Sequence, residues 1–147
     1  MIDETWQSRA TVLAKQIAQV VSAELECKQL TTKLLDFTFK PRNRDAAEMG
    51  FLASPFELIF SVGYGTRFEL EPLPQSKKQV LDLAWAIANG GLQERVWHRR
   101  IKFEVRLQDG EVIKGRSIYG LIQWPGKGRL VTYAPYDRPQ QVLPESI

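Results

Sequence analysis

The run Ile101-Lys-Phe-Glu-Val-Arg-Leu-Gln-Asp-Gly-Glu-Val-Ile-Lys-Gly-Arg116 constrains the fold more tightly than any other part of the chain. Ile101, Phe103, Val105 and Leu107 occupy alternate positions, the period of a strand with one buried and one solvated face. Lys102, Glu104 and Arg106 fill the gaps, preceded in the same phase by His98 and Arg100. One face is therefore apolar and the other mostly positive. Asp109-Gly110 then reverses the chain. A two-residue Asp109-Gly110 loop would set Val105 against Lys114. A three-residue loop, Gln108-Asp109-Gly110, with Gly110 left-handed as a bulge, sets Val105 opposite Ile113 and Phe103 opposite Gly115. This second register keeps apolar beside apolar, and a slip of one residue would turn every side chain over. The bulged hairpin is the expected form.

The rest of the chain divides into two helices and further strands. Trp6, Ala10, Leu13, Ile17, Val20 and Val21 recur at three- and four-residue steps, which predicts an amphipathic helix over 4–26 with Asp3 or Thr5 as N-cap. Leu35, Phe37 and Phe39 alternate with polar residues in a strand that ends at Pro41. A basic loop over 41–45 and a short helical turn over 45–52 follow. Residues 56–62 and 66–70 read as strands joined across Gly63-Tyr64-Gly65. Glu71-Pro72-Leu73-Pro74 breaks the sheet, Ser76 caps a second helix to about Asn89, and Gly90-Gly91 ends it. From Arg95 onward the pattern is β throughout. The hairpin is followed by strands at 118–124 and 129–134 and a short piece at 141–143. The expected fold is α+β, with both helices packed on a mainly antiparallel, strongly curved sheet that is barrel-like in its C-terminal half.

A length of 147 residues suits one domain, 1–147, with a weak subdivision near 90–95. No apolar run is long enough to span a bilayer, and Met1-Ile-Asp-Glu lacks the basic start of a signal peptide. The single cysteine, Cys27, excludes an internal disulfide and fits the reducing cytoplasm, where it is expected as a small buried or half-buried residue. The net charge of +3 is unevenly placed. Residues 1–94 carry ten Lys/Arg against twelve Asp/Glu, whereas 95–138 carry ten against four. That local positive excess is the electrostatic feature to be explained.

The segments Val105-Arg-Leu-Gln-Asp-Gly-Glu-Val-Ile-Lys-Gly115 and Gln141-Val-Leu-Pro-Glu-Ser-Ile147 give the last fifty or so residues a resemblance to Sm-like and SH3-like small barrels. Those folds share a V-x-L-x-D-G-x-x-x-x-G hairpin and a short closing strand. The resemblance implies a small barrel that serves either RNA binding or protein contact. The loop signatures with which Sm-type proteins hold RNA are missing, so no binding residue is carried over.

Catalytic constellations are not legible. The one histidine, His98, lies among arginines without a neighbouring carboxylate in sequence. It is expected as an exposed surface residue, though an enzyme built on His98 and a strand carboxylate is a third reading. One His and one Cys do not make a zinc site. No glycine-rich phosphate loop precedes a helix, and no metal or cofactor is expected. Binding chemistry is better represented. Arg99, Arg100, Lys102, Arg106, Lys114, Arg116, Lys127 and Arg129, with Trp97 and Trp124, form the candidate surface, divided by strand alternation between faces. Guanidinium for phosphate and rings for bases are what single-stranded nucleic acid requires. For Trp97 and Trp124 a place in the core is expected somewhat ahead of a role as exposed stacking platforms. The leading expectation is a non-enzymatic binding protein for RNA or single-stranded DNA, slightly ahead of an acidic protein surface. The second is an interaction or inhibitor module such as a bacterial toxin-immunity protein. Neither reading fixes an oligomeric state.

Overall fold

A computed structural model describes residues 5–97, 100–118 and 128–136. Its first element, α1 (Trp6–Val21), is capped by Thr5, whose Oγ1 accepts a hydrogen bond from Ser8 N–H at 3.2 Å. Ala10, Leu13, Ala14, Ile17 and Val21 form its buried stripe. The helix is shorter than the predicted 4–26. Ser22 takes a left-handed conformation (φ 58°) and its N–H closes on Ala18 C=O. Leu25 continues the helical period, which is why the sequence pattern overshoots. It is instead in strand β1 (Glu24–Thr31), opposite Phe39 of β2 (Leu34–Lys40).

Three more strands complete an antiparallel meander in the order β1-β2-β3-β4-β5: β3 (Met49–Ala53), β4 (Leu58–Val62) and β5 (Thr66–Leu70). The expected helical turn over 45–52 is corrected by β3. There Met49, Phe51 and Ala53 alternate inward with period two, and Phe51 stacks on Phe37 at 4.9 Å between ring centroids. Cys27, expected buried or half-buried, is exposed, because α1 leaves most of β1 uncovered.

Helix α2 (Lys77–Ala88) follows, and Gly90 (φ 78°) turns the chain out of it. The second sheet has the order β8-β7-β6-β9, from β6 (Leu92–Trp97), β7 (Arg100–Arg106), β8 (Val112–Ile118) and β9 (Arg129–Thr132). Two helices and two antiparallel sheets make this an α+β fold. Neither sheet closes on itself among the described residues, so the barrel character expected of the C-terminal half is not seen there. The hairpin register is the bulged one. Val105 pairs with Ile113 and Phe103 with Gly115, and Gly110 has a φ of 90°. The predicted strand at 118–124 and the last piece at 141–143 fall, beyond Ile118, outside the described residues.

One apolar cluster joins the parts. Side chains from α1, β2, β3 and β4 continue through α2 into Leu92, Phe103 and Val105. The seam between the sheets is aromatic, with Phe68 of β5 meeting Phe103 of β7 edge to face at 5.2 Å.

Candidate nucleic-acid interface on the second sheet

Strand register decides which charges share a face. Arg95 pairs with Lys102, Lys102 with Arg116, Trp97 with Arg100, Glu104 with Lys114, and Arg106 with Val112. Cross-strand partners project to the same side, so all these residues lie on the outer face of the second sheet. Leu92, Glu94, Ile101, Phe103 and Val105 take the other side and are buried. Of the ten residues predicted for the surface, Trp97, Arg100, Lys102, Arg106, Lys114 and Arg116 are thus brought together. Arg95, absent from that prediction, joins them in the same rows. Arg129 does not, because it pairs with Val96 and projects to the inner side. Arg99, Lys127 and Trp124, like His98, lie outside the described residues.

This outer face carries more cations than carboxylates among the described residues. Glu104 is its one carboxylate among the described residues, and it stands 3.4 Å from Lys114 in an exposed pair. Among the described residues, no carboxylate lies within ion-pair distance of Lys102, Arg106 or Arg116. Trp97 is half-buried, with the Arg100 guanidinium over its ring at 4.0 Å and the Lys102 ammonium at 6.0 Å from the centroid. On its other flank the indole packs against Gly128, where a β-carbon would stand 2.7 Å from Cε2. With φ at 69°, Gly128 suits the close approach of the strand on both counts.

The inner face anchors this surface through a carboxylate. Glu94 is fully buried and accepts hydrogen bonds from the N–H groups of Tyr64, Gly65 and Thr66 at 2.9, 3.2 and 3.2 Å. The Thr66 hydroxyl adds a bond of 2.7 Å, and the Tyr133 hydroxyl also donates. Five donors occupy both oxygens, so burial of the charge is offset by hydrogen bonding and no lone pair is left for proton transfer. Gly63 (φ 65°) makes the cradle possible, since a side chain there would enter the space of Glu94 and Tyr133. Burial, reinforced by the bond to Glu94, pushes the Tyr133 hydroxyl well above the usual tyrosine range. Arg129 extends the network by donating to the Tyr64 hydroxyl at 2.8 Å. Glu94 has a signal in sequence: it is the one charged residue in phase with Leu92 and Val96.

Among the described residues no group of His, Cys, Asp and Glu could hold a metal ion, and no helix is long and apolar enough to cross a membrane. Comparison with protein families, curated proteins and solved structures finds no match to this chain. It is placed by its fold alone, as an α+β protein with two open sheets and a cationic outer face on the second.

Proposed function

We propose that this chain is a non-catalytic binding protein that carries RNA or single-stranded DNA on the outer face of its second sheet. The observation that supports this most is that Arg95, Arg100, Lys102, Arg106, Lys114, Arg116 and Trp97 share one face of the sheet, with Glu104 as the one acid among the described residues of that face. Exposed cations exchange counterions for phosphates, and the affinity gained depends steeply on salt. The hairpin that carries the likeness to Sm-like and SH3-like barrels supplies most of these groups. A reducing cytoplasm fits the lone exposed Cys27.

The immunity-protein reading stands second on the sign of the charge. An inhibitor of a nuclease presents acid where substrate phosphates would sit, and this face presents base. Filter binding with mixed single-stranded RNA and DNA tests the first reading. The logarithm of affinity should fall linearly with the logarithm of salt concentration. No binding at low salt, or binding indifferent to salt, ends the nucleic-acid assignment.

A further inference from the structure

The outer face has an internal order that favours one way for a strand to lie on it. Arg95, Lys102 and Arg116 form a row across β6, β7 and β8, at right angles to the strands, with about 4.8 Å between neighbours. The adjacent row toward the hairpin loop is Gln93, Glu104 and Lys114, in which acid and base cancel. A polyanion running along β7 would pass over Glu104. One running across the strands meets Lys102 and Arg116 in turn.

On the other side of the cationic row, about 7 Å away, stands the Trp97–Arg100 pair. Trp97 is flanked by Gly128 on the β9 side and by Arg100 on the β7 side, so its ring is a support rather than a platform. The Nε of Arg100 is buried with no hydrogen-bond partner, which leaves the contact with the indole to hold the guanidinium. Guanidinium planes stack on nucleic-acid bases as aromatic rings do.

We propose that a single strand crosses the sheet transversely, with phosphates on the Lys102–Arg116 row and a base stacked on the Arg100 guanidinium. Trp97 is then a positioning residue. The separation of the two rows matches the reach from a base to the phosphate of its own nucleotide. This placement rests on the nucleic-acid reading above.

The test is fluorescence anisotropy with a labelled oligothymidylate and an abasic oligonucleotide of equal length, over a range of salt. The intact protein should bind the base-carrying strand about tenfold more tightly than the abasic one. Arg100→Lys keeps the charge but removes the plane, so it should retain abasic affinity and lose the preference. Trp97→Leu, checked for folding by circular dichroism, should do the same. Lys102→Ala and Arg116→Ala should keep the preference, and each should reduce the salt slope by about 0.7. Arg106→Ala, on the same face but outside the row, should lower affinity and the salt slope less than either. An equal loss at Arg106 would place the strand along β7 and overturn the transverse path. Binding without base preference, or a preference that survives in Arg100→Lys, overturns the stacked base. Failure of the intact protein to bind either strand removes the nucleic-acid reading itself and this placement with it.

Discussion

Glu94 and Arg95 are adjacent in the chain and stand on opposite faces of β6, the carboxylate locked into the β4–β5 turn and the guanidinium in the outer cationic row. One residue fixes the second sheet to the first, and the next belongs to the surface proposed to bind. Glu94→Gln should therefore destabilise the protein strongly. An amide cannot accept from all five donors, and bonds to a buried charge are each worth about 1.5–3 kcal/mol. A loss of about 3 kcal/mol or more in urea denaturation is expected, and a loss below 0.5 kcal/mol would contradict the anchoring role.

The cations should behave oppositely. Lys102→Ala and Arg116→Ala remove exposed groups with no ion-pair partner among the described residues, so the melting temperature should stay within about a degree or two. Nucleic-acid affinity should fall in both. A matched drop in stability would mean that these side chains hold the sheet together.

Phe103 and Gly115 form a complementary pair across the hairpin. The Phe103 ring lies over Gly115 so closely that an added β-carbon would stand 2.8 Å from its Cε2. Phe103→Ala should cost about 3–5 kcal/mol through the cavity it leaves. Gly115→Ala should cost about 1–3 kcal/mol through overpacking. In the double variant the new methyl group enters the vacated space, so the two losses should sum to less than their separate values in a double-mutant cycle.

Two tyrosines should make stability fall at alkaline pH. Burial raises the Tyr136 hydroxyl, which donates to Ala47 C=O, and burial together with Glu94 raises Tyr133. Both folded-state values lie above the ordinary 10.0, so their contribution is intact below pH 10. It is lost as pH rises beyond that, because the unfolded chain releases these protons first. The slope is about 1.4 kcal/mol per pH unit for the fully buried Tyr136. Tyr136→Phe should flatten the fall in stability between pH 10 and 11.5. An unchanged alkaline limb would show that other groups set it.

Much of this fold could be read from periodicity. The bulged hairpin followed from one register argument about Val105 and Ile113, and α1 followed from a stripe of which Ala10, Leu13, Ile17 and Val21 are buried. Strands β1 and β3 escaped for different reasons. Leu25 extends the stripe of α1, and only its pairing with Phe39 moves it into a sheet. Met49–Ala53 is rich in residues that suit helices, and its alternation is only five residues long. At the candidate site, the division of charges between faces was the weak point. It depends on where β6 ends and β7 begins, which fixes Trp97 opposite Arg100 and Arg95 opposite Lys102. Arg129 was misplaced because its face depends on pairing with β6, more than thirty residues earlier in the chain.

The loop Gln108-Asp109-Gly110 determines more than a change of direction. Because side chains alternate along β8, loop length acts on the surface by its parity. Loss of one residue would send Lys114 and Arg116 inward and Ile113 into solvent. Loss or gain of two would restore the outward set at a shifted position. Viable length variants of this hairpin should therefore differ by even numbers, whatever the composition of the loop.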